Sequence, residues 1–366
     1  MTSVYSIYLL VNGLTAPVIG VLFDRLGPRV VYGCGMAALA VAYLLAAQVQ
    51  DLWQFYATVG AITGVSVAAL GMVPSSSLIS RWFLERLSTA ISIAFAGLGL
   101  GALLIVPSVQ YLLQNHGWRD SYQMLGLVLL GLVPLLLMLP WERYRDGHPQ
   151  YRQARKPGTI EGKDWTVRAA LRTRMFWGLV WVFFFTSIGM FSVMVQTVAF
   201  LVEQGFPAIV AATAYGMASM LSVFGIVSTG AIADRFGPRR TVSVTFVGSI
   251  AGILIMLLLT WFPLQGWLIV YVLIFGLCQG ARGPIISSMS TRLFAGRQVA
   301  SIYGVIYASN AIGAGLGALI AGLLHDFTGG YRTGFVVSIL AMVLAVLPFW
   351  RVPEIRDFRM RPAIPR

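Results

Sequence analysis

Charged side chains are scarce in this chain: they make up 11% of its 366 residues, whereas hydrophobic residues make up 58%. This balance excludes an ordinary soluble domain, in which about a quarter of the residues are charged. Only two cysteines occur, Cys34 and Cys278, and both lie in long apolar stretches, so we expect no structural disulfide. The sequence has no paired metal ligands, nucleophile elbow or phosphate-binding loop, so we expect no metal, no cofactor and no enzyme activity.

Long apolar stretches account for most of the chain. A helix needs about 20 apolar residues to cross a bilayer, and eleven stretches approach or exceed that length. They show no apolar/polar alternation of the kind found in transmembrane β-strands. The predicted fold class is therefore all-α integral membrane. The stretches are 3–22, 30–50, 53–79, 88–114, 119–140, 174–202, 208–232, 241–263, 266–291, 299–324 and 332–351.

The net charge of +13 is distributed as in a membrane protein rather than as in a nucleic-acid-binding protein. Nearly all Lys and Arg residues fall in loops on one side of the predicted membrane or in the C-terminal tail. Only Arg119 and Arg332 fall on the opposite side, and Arg282 alone lies inside an apolar stretch. Because basic residues are concentrated in cytoplasmic loops, we expect the C-terminus in the cytoplasm, the lipid bilayer as a partner, and no nucleic-acid binding.

Three pairs of segments repeat along the chain at offsets of 210 to 216 residues. The strongest pair shares the pattern Gly-x-x-x-Asp-Arg-x-Gly-Pro-Arg, in which Gly-Pro breaks a helix and forces a tight turn. A recurrence of this length indicates two related halves. The pairs are 20–29 with 230–239, 97–104 with 313–320, and 117–122 with 330–335.

Alternating glycines occur at 97–101 and at 313–317. They lie inside apolar stretches with no preceding strand, so they do not fit a dinucleotide-binding turn. Small residues at such spacing allow two helices to approach closely. We therefore predict helix packing at both runs.

The repeated Asp-Arg loop resembles the loop signature of major facilitator superfamily transporters. Trp82-Phe83, Arg86 and the small residues at 90–97 are similar to the monocarboxylate-transporter motif that enters the fifth helix. The chain therefore resembles bacterial monocarboxylate-transporter-like members of that superfamily. That resemblance implies a two-half helical bundle, a small-molecule substrate, and a monomeric multi-pass protein of the bacterial inner (plasma) membrane.

The resemblance also implies twelve helices, with the Asp-Arg loop after the second helix of each half. Here the first loop follows the first apolar stretch. We therefore expect the family's first helix to be missing, through a start codon assigned too late or through truncation. The predicted domains are an N-terminal helical half at 1–140, a cytoplasmic linker at 141–173, a C-terminal helical half at 174–351 and a cytoplasmic tail at 352–366.

Arg282 is the first candidate for substrate binding. Arginine in mid-membrane costs about 2.5–3.5 kcal/mol, so it should face water, an anion or a polar partner. Pro284 cannot donate to the carbonyl of Gly280, which should open the helix locally. We predict an anion-binding residue, and the alternative is an anchor bonded to a backbone carbonyl. Further cavity-lining candidates, with interhelical hydrogen bonding as their alternative role, are Tyr303, Tyr307, Asn310, Gln196 and Asn12.

The resemblance assigns a gating role to both Asp-Arg loops, because these residues form charge networks with neighbouring helix ends in the family. The alternative is helix-end anchoring without a part in the transport cycle. The residues concerned are Asp24, Arg25, Gly27, Arg29, Asp234, Arg235, Gly237 and Arg239.

We predict a secondary active transporter of a small organic, monocarboxylate-like anion that works by alternating access. All 13 acidic residues lie in loops, at the ends of stretches or in the tail, so no mid-span carboxylate is available as a proton site. Monocarboxylate transporters commonly place an Asp/Arg pair in the eighth helix, and the matching stretch 222–226 lacks it. Substrate identity, direction and coupling ion stay open. The alternatives are an exporter of amphipathic compounds and a non-transporting, truncated membrane protein.

Overall fold

The computed structural model describes residues 2–83, 85–149 and 165–358. Most of them lie in helices that follow the apolar stretches. Up to residue 173 the chain contains α1 (Thr2–Leu26), α2 (Pro28–Ala46), α3 (Leu52–Phe55), a π-helix (Tyr56–Ile62), α4 (Thr63–Leu70), α5 (Met72–Ile79), α6 (Leu87–Met138), α7 (Trp141–Asp146) and α8 (Val167–Ala170). From residue 174 onward it contains α9 (Arg174–Glu203), α10 (Ala208–Phe236), α11 (Pro238–Leu259), α12 (Gln265–Gln279), α13 (Arg282–Leu293), α14 (Val299–Thr328), α15 (Arg332–Val346), α16 (Pro348–Arg351) and α17 (Pro353–Arg356).

Among the described residues, ten helical segments are long and apolar enough to cross a membrane, and the shorter apolar segment Leu87–Gly101 is an eleventh. The predicted all-α membrane fold is confirmed. Helix α6 holds two of the predicted stretches, because its backbone leaves helical geometry at Gly117, where φ is 76° and ψ is 175°.

The two Asp-Arg loops share one backbone geometry. Gly27 has φ 84° and ψ 174°, and Gly237 has φ 91° and ψ 150°. Only glycine adopts this region without strain. Pro28 and Pro238 then occupy the first position of α2 and α11, where a missing N–H removes no helical hydrogen bond. The Gly-Pro pair therefore ends one helix and starts the next in both halves, as the sequence predicts.

Two helices are interrupted at equivalent positions. Helix α12 ends just before the start of α13 at Arg282, and α4 ends just before the start of α5 at Met72. Pro284 and Pro74 follow these breaks, and each lacks the N–H that would bond to the carbonyl four residues earlier. The interruption before Pro284 confirms the prediction. The one before Pro74 is an additional finding with the same cause.

The described contacts divide the chain into two compact units. Inside unit 1, α1 packs on α4 and on the π-helix, and α2 packs on α4. Inside unit 2, α9 packs on α15, and α12 packs on α10 and α11. The predicted domain boundaries stay a prediction, and residues 150–164 of the linker and 359–366 of the tail lie outside the described residues. Unit 1 is Met1–Leu84, Leu100–Arg172 and Ser290–Ala311; unit 2 is Glu85–Gly99, Thr173–Met289 and Ile312–Arg366.

Candidate functional site

Asp24, in the first Asp-Arg loop, caps the start of α14 within unit 1. Its carboxylate accepts hydrogen bonds from the N–H of Ala300 at 3.3 Å, the N–H of Ser301 at 2.8 Å and the hydroxyl of Ser301 at 2.6 Å. The first N–H groups of a helix have no partners in their own helix, and a helix N-terminus favours negative charge. The carboxylate therefore satisfies two N–H groups that would otherwise lack an acceptor.

Asp234, in the second loop, caps the start of α6 within unit 2. Its carboxylate accepts from the N–H of Ser88 at 3.2 Å, the N–H of Thr89 at 2.8 Å and the hydroxyl of Thr89 at 2.7 Å. The cap therefore repeats in both halves. Sequence reasoning missed the partner residues, although both partner pairs stand at the start of a long apolar stretch.

The remaining residues of the predicted gate lie around these caps. Arg25, Arg29 and Arg235 are exposed. The guanidinium carbon of Arg235 lies 5.3 Å from the Phe236 ring centroid, and that of Arg239 lies 3.8 Å from the Trp350 ring centroid. Thus the carboxylates of the loops bond to helix ends, whereas the arginines lie at the surface or against aromatic rings. Their part in gating stays a prediction.

Glycines let each capped helix approach its neighbour closely. A Cβ atom at Gly20 of α1 would meet the backbone of Ala300, and one at Gly13 would meet Ala311. Residue numbers rise along α1 as they fall along α14, so the two helices run antiparallel. The equivalent pair in unit 2 is α10 against the first part of α6, where a Cβ at Gly230 would meet Ser88 and Ser92, and one at Gly99 would meet Val223.

The alternating glycine runs contribute to packing at some positions only. A Cβ at Gly313 would meet the carbonyl of Phe184, and one at Gly317 would meet the backbone of Ile188. These contacts, and that of Gly99, confirm the predicted close packing. By contrast, Cβ atoms at Gly97, Gly101 and Gly315 would have no neighbour within 4 Å among the residues that the structure describes.

Arg282 lies at the start of α13 and its side chain is almost fully buried, with 1% exposed. One terminal nitrogen, Nη1, donates to the carbonyl of Thr245 at 3.2 Å and to the hydroxyl of Ser249 at 3.0 Å. The other, Nη2, lies 3.1 Å from the sulfur of Met190 and 3.5 Å from the carbonyl of Gln279. These partners are all neutral.

The Arg282 guanidinium has two further features. Its carbon lies 4.6 Å from the centroid of the Phe246 ring, a distance at which a cation is attracted by the π-electrons. Its Nε–H finds no hydrogen-bond acceptor among the described residues. The side chain thus combines the predicted backbone anchor with a buried positive charge that contacts no carboxylate of the described residues.

The other substrate-binding candidates divide between the units. In unit 1, the Tyr303 ring is fully buried and lies 6.0 Å from the Tyr307 ring, and Tyr307 bonds to the side chain of Asn310. Asn12 is half-buried and precedes Gly13, the glycine that approaches Ala311. These four candidates therefore lie on α1 and α14, the two helices that approach closely at Gly13 and Gly20, and their role in substrate binding stays a prediction.

Gln196 lies with Arg282 in unit 2. Its side chain is buried, and its Nε2 donates to the carbonyl of Ala321 at 2.7 Å, which joins α9 to α14. Ser192, one turn earlier, donates to the carbonyl of Gly317 at 2.8 Å. Gln196 therefore makes the interhelical hydrogen bond that is the alternative to cavity lining.

A repeated set of apolar helices with the same capped loop in each half defines a multi-pass helical membrane protein with internal duplication. The chain belongs to the Major Facilitator Superfamily, whose family model matches residues 1–292 and 229–363. It is therefore a transporter that works as a secondary carrier, and not an enzyme.

Relatives and solved structures agree with this assignment. The chain is 27% identical over 339 residues to monocarboxylate transporter 13 of Rattus norvegicus, covering 91% of this chain and 75% of the relative. It is 26% identical over 343 residues to monocarboxylate transporter 11 of Homo sapiens, covering 90% and 70%. The fold is similar to that of the E. coli fucose:proton symporter FucP, with a TM-score of 0.74, 16% identity, and coverage of 94% of this chain and 88% of that chain. It is also similar to the proton:xylose symporter XylE, with a TM-score of 0.73, 13% identity, and coverage of 96% and 84%.

Proposed function

We propose that this carrier moves a small organic anion of the monocarboxylate type by alternating access, and that Arg282 binds the substrate carboxylate. The observation that carries the proposal is the buried Arg282 guanidinium, whose hydrogen-bond partners are all neutral. A buried cation that meets no counter-ion among the described residues is costly, and a bound anion would offset that cost. The names of the relatives, which are monocarboxylate transporters, support the same substrate class.

The free edge of the guanidinium fits a carboxylate. Nε and Nη2 form one side of the planar fork, and a carboxylate can accept from both at once. Nε has no acceptor in the part of the chain that the structure describes, and Nη2 faces the thioether of Met190, which is a weak acceptor. Nη1 is held by Thr245 and Ser249 on α11, so the fork stays fixed while its other edge is available.

Binding at Arg282 requires a conformational change. Its side chain is 1% exposed, so the substrate must displace Met190 as the surrounding helices move. We propose that the Asp24 and Asp234 caps stabilise one conformational state and open in another. The two caps are chemically equivalent, since each pairs a carboxylate with two helix N–H groups and one hydroxyl.

Uptake by reconstituted Arg282 variants tests this proposal. Arg282→Gln keeps hydrogen-bond donors but removes the charge, and Arg282→Lys keeps the charge but loses the planar fork. Because hydrogen bonds to charged groups contribute about 1.5–3 kcal/mol, Arg282→Gln should lower carboxylate uptake by about 10- to 100-fold. Arg282→Lys should retain partial uptake, and the exposed control Arg297→Gln should match the wild type. Unchanged uptake by well-inserted Arg282→Gln protein would show that Arg282 does not bind the substrate.

A further inference from the structure

The sulfur of Met190 occupies one side of the Arg282 guanidinium, within unit 2. It lies 3.1 Å from Nη2, and the other contact of that nitrogen is the carbonyl of Gln279 at 3.5 Å. A thioether is a weak hydrogen-bond acceptor. Both side chains are buried, with 5% of Met190 and 1% of Arg282 exposed. In this conformation a neutral sulfur therefore stands where the proposed substrate would bring a carboxylate oxygen.

Backbone packing fixes the position of Met190 on α9. A Cβ atom at Gly189 would lie 3.0 Å from the carbonyl oxygen of Ser338 on α15. Two residues after Met190, the hydroxyl of Ser192 donates to the carbonyl of Gly317 on α14 at 2.8 Å. A methionine side chain, by contrast, is unbranched and turns about three bonds. The sulfur can therefore leave Nη2 by side-chain rotation while α9 stays packed on α14 and α15.

The empty carrier needs an acceptor at this position. Net transport by alternating access requires the empty protein to change its orientation, and a buried cation that lacks acceptors is costly during that step. Nη1 of Arg282 is bonded to Thr245 and Ser249 on α11. Nε has no acceptor among the described residues, and the nearer partner of Nη2 is Met190. Met190 therefore lowers the cost of the buried charge while no anion is bound.

We propose that Met190 is an internal ligand of Arg282, which takes the place of the substrate carboxylate in the empty carrier. The inference rests on the proposed binding of a carboxylate at Arg282. The Met190 contact stabilises only the empty state, and two consequences have this one cause. The sulfur competes with the substrate, so it weakens substrate binding. It also eases the return of the empty carrier, so it favours net uptake over the exchange of one anion for another.

Transport by Met190 variants in proteoliposomes tests the proposal. Met190→Leu keeps the volume and removes the acceptor, whereas Met190→Gln supplies a stronger acceptor, an amide oxygen. The probe is whichever of radiolabelled acetate, propionate, butyrate and benzoate the wild type takes up fastest. Net uptake is measured into empty vesicles, and exchange into vesicles preloaded with the same unlabelled anion. The matched controls are Met194→Leu and Met194→Gln, since Met194 lies one turn further along α9 and is not among the hydrogen-bond partners of Arg282.

The two Met190 variants should change substrate affinity in opposite directions. Met190→Leu should lower the half-saturating concentration by about fivefold, and the ratio of net uptake to exchange by about fivefold, because the empty state loses one hydrogen bond. Met190→Gln should raise the half-saturating concentration by about fivefold and keep the ratio at or above its wild-type value. Both Met194 controls should match the wild type. The ratio compares two modes of the same protein, so it does not depend on how much of a variant folds.

The outcomes separate the role of Met190 from the binding site itself. An unchanged ratio in Met190→Leu, or a change of half-saturation in the same direction in Met190→Leu and Met190→Gln, would overturn the internal-ligand role if Arg282→Gln still abolishes both modes. Full transport by Arg282→Gln, or no uptake of any of the four anions by well-folded wild type, would instead overturn the carboxylate site on which the inference rests.

Discussion

Asp24 and Ser301 are 277 positions apart in the chain, yet the Asp24 carboxylate accepts both the N–H of Ser301 at 2.8 Å and its hydroxyl at 2.6 Å. Asp234 and Thr89 repeat the arrangement with distances of 2.8 and 2.7 Å. The internal duplication therefore extends from the loop sequence to its tertiary contact. Equivalent substitutions in the two loops should accordingly have similar effects.

Removal of the Asp24 carboxylate should destabilise the start of α14. Losing a helix cap costs about 0.5–2 kcal/mol, so Asp24→Ala should lower the midpoint of thermal unfolding and speed amide exchange at Ala300 and Ser301. Asp24→Asn, which keeps one oxygen acceptor, should have a smaller effect. The exposed Asp120→Asn serves as control. Unaltered exchange at Ala300 and Ser301 in Asp24→Ala would mean that the cap contributes nothing to stability.

Two double-mutant cycles test whether the Asp24 and Asp234 caps contribute independently to the free energy of unfolding. Asp24→Ala and Ser301→Ala remove two sides of one hydrogen bond, so their effects on unfolding free energy should be non-additive by about 1 kcal/mol. Asp24→Ala and Thr89→Ala belong to different caps with no shared partner, and their effects should add to within about 0.5 kcal/mol. Comparable coupling in both cycles would show that the two caps are not energetically independent.

Neighbouring glycines of α14 should respond in opposite ways to alanine. At Gly313 the added methyl meets the carbonyl of Phe184, and such overpacking destabilises the folded protein by about 1–3 kcal/mol. At Gly315 it meets no described atom within 4 Å, and a helical alanine is favoured over glycine by about 0.5–1 kcal/mol. Thermal unfolding of Gly313→Ala and Gly315→Ala measures the difference. If both variants unfold at the same temperature, the close contact at Gly313 is wrong.

Much of this architecture could be predicted from the sequence, because a membrane span must be long, apolar and helical. The turn at Gly27 and the interruption before Pro284 were also predictable, since each follows from the local chemistry of Gly-Pro or of proline alone. The partner of Asp24 was not, because hydrogen bonds between distant helices leave no periodic signal in the sequence. The contacts of Arg282 with Met190 and Ser249 escaped prediction for the same reason.

Local propensity also failed to predict one irregular segment. The π-helix Tyr56–Ile62 has the same apolar composition as its α-helical neighbours. The Thr63 hydroxyl donates a hydrogen bond to the carbonyl of Thr58, five residues earlier, which is the spacing of a π-helix. In contrast, the interruption before Pro74 carried the same proline signal as that before Pro284, and the repeat offset of 210 residues would have located it.

The segment around α8 should be held by the loop that precedes α14, within unit 1. The N–H of Val167 donates to the side-chain oxygen of Gln298 at 2.9 Å, and the rings of Trp165 and Phe294 lie 5.4 Å apart. Gln298→Ala should therefore speed amide exchange at Val167 by about fivefold, since such a bond contributes about 1 kcal/mol. Arg297→Ala, an exposed change in the same loop, should leave it unchanged. Equal exchange in the two variants would contradict this anchoring contact.

The measurement that tests the proposed function most directly is uptake of radiolabelled mono- and dicarboxylates into proteoliposomes, with and without a pH gradient. We predict saturable uptake of a monocarboxylate that unlabelled monocarboxylates inhibit and lipophilic cations do not. The pH gradient shows whether protons are coupled to it. Transport of lipophilic cations with no carboxylate uptake by well-folded protein would contradict the proposal and favour an exporter of amphipathic compounds.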